Sequence, residues 1–148
     1  MDDLEDWGFV DPGQLRDELT HALLDGRKTA TSSLRVEYGD DGDPLPRVGE
    51  RSVVVDSHNR PVAIIETVSW SVVRLADVPD DHARAEGEGY EDTVGYRRSH
   101  EEFWRANLDE LRREAGSPSF DINDDTEVVL EQFRLVELIA DDEPQGPP

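Results

Sequence analysis

The sequence predicts an α+β fold: a small mixed or antiparallel β-barrel with flanking helices. Three observations carry this expectation. Two Val- and Ile-rich runs, 52–56 and 61–69, are joined by Ser57-His58-Asn59-Arg60, a connection of hairpin length. A third run, 128–138, follows a long helical pattern. The order helix, strands, helices, strand contains no alternating βαβ units, so the strands are expected to pair directly with one another.

Each element has its own signal. A helix is expected from Pro12 to Asp25, with Asp11 as N-cap and Pro12 at the first helical position, where its missing N–H costs nothing. Leu15, Leu19, Ala22 and Leu23 share one stripe of that helix, and Gly26 ends it. Residues 34–38 alternate as a short strand does. Gly39 to Asp43 reads as an acidic turn, and Pro44 and Pro46 keep the chain extended into a turn at Val48-Gly49-Glu50. Trp70 to Leu75 is expected to continue the sheet after a bend. A short helix from Asp77 to Glu86 is broken by Glu86-Gly87-Glu88-Gly89. Thr93 to Ala115 is the longest helical pattern, with Tyr96, His100, Phe103, Trp104, Leu108, Leu111 and Ala115 near one face, and Gly116-Ser117-Pro118 stops it. Residues 1–7 and 141–148 read as acidic tails, the second disordered, leaving 8–140 as a single domain.

Composition narrows the function classes. The chain of 148 residues carries a formal net charge of -21. A polyanion is repelled at long range, which disfavours duplex DNA. There are no cysteines, so disulfides, thiolate metal sites and cysteine nucleophiles are excluded. No run approaches the ~20 apolar residues of a membrane span, and the acidic N-terminus is unlike a signal peptide. A soluble cytoplasmic protein is the expectation. Of the 15 basic residues, every one but Lys28 is arginine.

That single lysine falls in Gly26-Arg27-Lys28-Thr29-Ala30-Thr31, where a helix end delivers an amine and two hydroxyls to the start of a strand. Lysine can lose its proton where arginine cannot, and beside a hydroxyl it can serve as base for a Ser or Thr nucleophile. Read alone, the motif equally suits a solvated lysine welcomed by a helix C-terminus. Glu86-Gly87-Glu88-Gly89 is similar: its glycines can aim a carboxylate into a pocket, or it is an acidic linker. Arg97 can contact a substrate oxygen or pair with Glu101 at i,i+4. His100 can orient a pocket group or sit as a satisfied helix histidine. Phe103-Trp104 reads as core rather than as a base-stacking platform. Asp40-Asp41-Gly42-Asp43 lacks the distal glutamate of a calcium loop and reads as a solvated turn.

Taken in order, these motifs resemble the ASCH domain family, relatives of the PUA RNA-binding barrel. The run Asp25-Gly26-Arg27-Lys28-Thr29-Ala30-Thr31-Ser32-Ser33-Leu34 is similar to the family signature. Pro44 to Gly49, Pro61 to Thr67, Ala85 to Gly89, Tyr96-Arg97, His100, Phe103-Trp104 and Val129 to Leu138 follow in the order of the larger bacterial members. Tyr90 and Tyr96 depart from the family's Asp and Trp.

The resemblance implies a PUA-like barrel with a cleft that recognises a nucleoside or single-stranded RNA. Small bacterial members remove the acetyl group from N4-acetylcytidine with a lysine, a threonine and a glutamate. By position these are Lys28, Thr31 and Glu88, with Glu86 the alternative carboxylate. Thr29, Glu86 and Arg97 are expected to bind substrate, and no cofactor or metal is expected. Other members are ribonucleases on single-stranded RNA, and a non-catalytic RNA-binding module is the third reading. In the hydrolytic reading Thr31 attacks the amide carbonyl, Lys28 accepts the threonine proton, and Glu88 relays a proton to the leaving amine.

Overall fold

The computed structural model describes residues 6–7, 12–38 and 45–139. In chain order the elements are β1 (Asp6–Trp7), α1 (Gln14–Leu24), β2 (Ala30–Leu34), β3 (Arg51–Val55), β4 (Pro61–Arg74), α2 (Asp80–Ala85), α3 (Thr93–Ala106), α4 (Leu108–Ala115) and β5 (Glu127–Leu138). The sheet order is β1-β3-β4-β5-β2. All neighbours are antiparallel except β1 and β3, so the sheet is mixed. The four longer strands curl into a half-barrel, and helices pack on it.

Two side-chain clusters hold the sheet. Leu23 of α1 packs with Val54, Ala63, Ile65 and Phe133 of β3, β4 and β5. A larger cluster joins Leu34, Val128 and Leu130 to Ala83, Tyr96, Trp104 and Leu111 of α2, α3 and α4. Removing such apolar surface from water stabilises by ~1.5–3 kcal/mol for each fully buried large side chain. Helix α1 thus covers one part of the half-barrel and α2–α4 another, with β2 at the sheet edge between them.

Several boundaries differ from the sequence expectation. Helix α1 begins at Gln14, preceded by Gly13 at φ 149, so Pro12 lies in the turn before it; Asp11 is outside the described residues. The strand expected at 34–38 instead occupies 30–34 and is followed by a 3-10 turn over Arg35–Glu37. The turn is pinned by Glu37 Oε1, which accepts from the Leu34 N–H at 2.7 Å. Alternation was the wrong guide there, because the chain turns at Arg35 and leaves β5, with Glu37 capping the outward-facing Leu34 N–H. Strand β4 runs unbroken through Trp70, and a register shift between Thr67 and Ser69 replaces the expected bend. Helix α2 is shorter than 77–86, because Leu75–Asp77 forms a 3-10 turn. The long helix divides at Asn107, whose side chain donates to the Phe103 carbonyl at 2.8 Å. Of the expected N-terminal tail, Asp6 and Trp7 pair with β3. The acidic turn at 39–43 and the tail at 141–148 lie outside the described residues.

A candidate nucleoside pocket at the edge of the sheet

Gly26, at φ 89, turns the chain out of α1, and the Arg27 and Lys28 N–H groups both donate to the Ala22 carbonyl. The next two residues lead into β2. This tight exit carries Lys28 inward, and its side chain is 1% exposed. Its Nζ donates to the Ala30 carbonyl at 2.9 Å, the Glu86 carbonyl at 3.2 Å and Glu88 Oε2 at 3.4 Å. Two carbonyls and a carboxylate suit the three hydrogens of an ammonium.

The carboxylates arrive from the loop after α2. Gly87, at φ 70, lies against the backbone of Arg27 and Lys28: a Cβ there would stand 2.4 Å from the Arg27 oxygen. Only glycine permits that approach. The loop is thereby held on the lysine segment, and the Thr29 N–H donates to the Ala85 carbonyl at 2.8 Å.

Lys28, Thr31 and Glu88 line one cavity of about 170 Å³, with walls from Leu15 and Leu19 of α1 and His100 and Phe103 of α3. A wider cleft of about 620 Å³ continues outward past Arg27, Gly89 and Tyr90. Burial pushes the Glu88 carboxyl up, against the pull of the Lys28 charge. Burial also pushes the Tyr90 phenol up to about 12. No hydrogen bond to the Thr31 hydroxyl is present among the described residues. Thr31 pairs across the ladder with Glu131, whose carboxyl is also raised by burial.

Glu86 lines the same cavity and is also tied into the fold. Its carboxylate is buried and accepts from Ser32 Oγ, from His82 Nε2 at 2.9 Å and from His100 Nε2 at 3.1 Å. Burial alone would raise its pKa; the hydrogen bonds of His100 and His82 and the nearby Lys28 charge win, and it lies well below the usual carboxylate range. Ser32 Oγ also meets Tyr96 Oη at 2.7 Å, and Gln132 Nε2 reaches His82 Nδ1 at 3.2 Å. Glu86 is thus the hub of a polar network in the wall of the cavity.

His100 completes that network. Its Nδ1 faces the Tyr96 carbonyl at 2.9 Å, and its Nε2 faces Glu86. Both partners are acceptors, an arrangement that favours a proton on each ring nitrogen. Burial opposes the charge this gives, but the Glu86 carboxylate outweighs it and raises the His100 pKa. Tyr96 stacks on the ring with centroids 4.1 Å apart. Glu86, Glu88 and His100 together present ligand atoms within 4.8 Å of one another, a spacing that admits a cation. The Lys28 ammonium already supplies positive charge at that point.

Thr29 and Arg97 fall outside the cavity. Thr29 is exposed, with its hydroxyl 3.4 Å from the Ala85 carbonyl. Arg97 pairs with Glu101 and with Asp124, the ion-pair alternative rather than the substrate one. The Phe103-Trp104 pair divides: Trp104 is core, whereas Phe103 is 43% exposed on the cavity wall. Sequence reasoning missed Ser32 and His82 altogether. Their only signal was position, two residues before a core leucine and one turn before Glu86.

The comparisons agree with this architecture. A solved ASCH domain from Lactobacillus crispatus superimposes with a TM-score of 0.77 at 28% identity, over 89% of this chain and 79% of that one. A protein of solved structure from Enterococcus faecalis gives 0.76 at 25% identity, over 90% and 77%. No curated protein matches the sequence. The family model of the ASCH domain matches residues 5–137, which takes in the lysine segment, the glutamate loop and the closing strand alike. A buried lysine at the sheet edge, held by a Gly-flanked glutamate loop, is therefore a feature of a chain that belongs to the ASCH domain family.

Proposed function

We propose that this protein hydrolyses the amide of an N4-acylated cytidine-type nucleoside. ASCH domains are generally RNA-binding, and the hydrolytic reading refines that role to a small ligand. The observation that carries it is the contact between the buried Lys28 and the partly buried Glu88, 3.4 Å apart, on the wall of a cavity that Thr31 shares. Burial raises the Glu88 pKa, which favours a proton on its carboxyl. A proton can then pass between the two groups.

In this reading Thr31 Oγ1 attacks the acetyl carbonyl while Lys28, as the amine, accepts the hydroxyl proton. The C–N bond breaks, and Glu88 delivers a proton to the leaving exocyclic nitrogen. Water then releases acetate from the acyl-threonine and restores the hydroxyl. Size supports a small ligand. The inner cavity is well below the ~300–1,000 Å³ of a drug-sized site and accepts about one ring, with the sugar in the outer cleft. A long RNA needs a basic track, yet Arg97 and Arg105 are both engaged by Glu101.

The test is incubation with N4-acetylcytidine and, separately, with single-stranded RNA, using wild type, Lys28→Ala and Lys28→Arg. Release of cytidine and acetate is expected, falling ~10²–10⁴-fold in both variants as proton transfer is lost. Full activity of Lys28→Arg, or RNA cleavage with the acetylated nucleoside untouched, refutes the hydrolytic reading.

A further inference from the structure

Strand β2 is an edge, with β5 on one side and the cavity on the other. In an antiparallel ladder, residues alternate between turning their N–H and C=O toward the partner strand and turning them away. Two hydrogen bonds fix the phase here. The Phe133 N–H donates to the Thr29 carbonyl at 3.0 Å. The Leu34 N–H donates to Glu37 Oε1 instead of to β5. Thr31 and Ser33 therefore present their main-chain groups to β5, whereas Ala30, Ser32 and Leu34 present theirs to the open edge.

Along that edge one group at each end is taken by a side chain. Lys28 Nζ covers the Ala30 carbonyl, and Glu37 covers the Leu34 N–H. Ser32 lies between them. Its N–H and C=O both face the cavity, and no side chain among the described residues bonds either one. Enclosed main-chain groups are nearly always paired, so a donor and an acceptor left side by side on a cavity wall mark where a ligand's polar edge belongs. The same cavity has an apolar wall. Phe103 and Leu15, each 43% exposed, line it from α3 and α1, and a flat ring buries its face against such a wall.

We propose that the pocket recognises a pyrimidine-type base through the Ser32 main chain at its edge and Phe103 at its face. The Ser32 N–H meets a ring acceptor and the Ser32 C=O meets the adjacent exocyclic N–H, the pattern of N3 and N4 in cytosine. An acyl group on N4 leaves one N–H in place, so the same contacts hold an acylated ring. The inference takes its ligand class from the hydrolytic reading but does not require turnover.

Binding separates the two. Calorimetric titration of the full chain with cytidine, 3-deazacytidine and N4,N4-dimethylcytidine removes first nothing, then the acceptor, then the donor. Each analogue is expected to bind about tenfold more weakly than cytidine, the effect of one lost hydrogen bond. Phe103→Ala is expected to weaken cytidine about tenfold or more, and Phe103→Tyr to restore it. Equal binding of the three ligands, no cytidine binding, or an indifferent Phe103→Ala overturns the proposal. Analogue-sensitive cytidine binding without turnover of N4-acetylcytidine leaves it standing and removes the hydrolase reading. Turnover with analogue-blind binding does the reverse.

Discussion

Replacing Glu86 with glutamine tests the polar hub in the cavity wall. The side chain keeps its shape, so no void is created. What changes is charge and acceptor count: the amide nitrogen must face Ser32 and His82, or else His100, and each of those positions holds a donor. The expected cost has two parts. Lost acceptance in a buried network costs ~1–3 kcal/mol at any pH. Stranding the buried His100 cation raises the total to ~3–5 kcal/mol while that ring is charged. The pH window follows from the shifts. The His100 pKa is raised, so its contribution is complete below its ordinary value of 6.5 and is lost as pH rises through the folded value. The Glu86 pKa is lowered, so its contribution is complete above its ordinary value of 4.5. The pair therefore contributes most between pH 4.5 and 6.5. Urea unfolding of wild type and Glu86→Gln at pH 5.5 and pH 8.5 is the assay, and the gap between the proteins is expected to be larger at pH 5.5. An equal gap at both values would mean that Glu86 does not hold a charged His100, and the reasoning fails.

Other substitutions have equally direct outcomes. Gly87→Ala places a methyl group against the Arg27 carbonyl at a positive φ, so the glutamate loop must move off the lysine segment. A loss of ~1–2 kcal/mol from the backbone conformation alone is expected in thermal unfolding, with a larger proportional loss of cytidine binding. Arg97→Ala should leave activity within about twofold of wild type and cost under ~1 kcal/mol, because it removes half-exposed ion pairs outside the cavity. A large fall in turnover would return Arg97 to the substrate. Trp104→Ala opens a void in the larger cluster and is expected to cost ~3–5 kcal/mol in urea unfolding.

The hairpin and the closing strand were legible because Val and Ile repeat over runs bounded by turn residues. Lys28 and Glu88 were legible as motifs and were joined in one site only through the family resemblance; their spacing does not show the contact. That depends on Gly87 packing against Arg27, a contact between segments some 60 residues apart, which no local pattern encodes. Glu86 and Glu88 looked interchangeable in sequence. They differ because Glu86 caps two histidines and a serine inside the fold, whereas Glu88 faces the lysine. Thr31 was expected as the nucleophile and Thr29 as a substrate contact; strand pairing sets Thr29 outside the cavity and Thr31 on its wall. The break at Asn107 escaped notice because apolar spacing continues across it, while the helix hydrogen bonds do not.

The pairing of β2 with β5 has a consequence for how the protein is made. Ala30 meets Gln132, about a hundred residues later in the chain. The lysine, the threonine and the open edge of β2 are therefore synthesised early but acquire their ladder late. Contacts of such wide separation are slow to form, since the intervening chain must be ordered first. A nascent chain that has not yet released β5 from the ribosome has every residue of the pocket and no pocket, and any cut upstream of Glu127 should leave it so permanently.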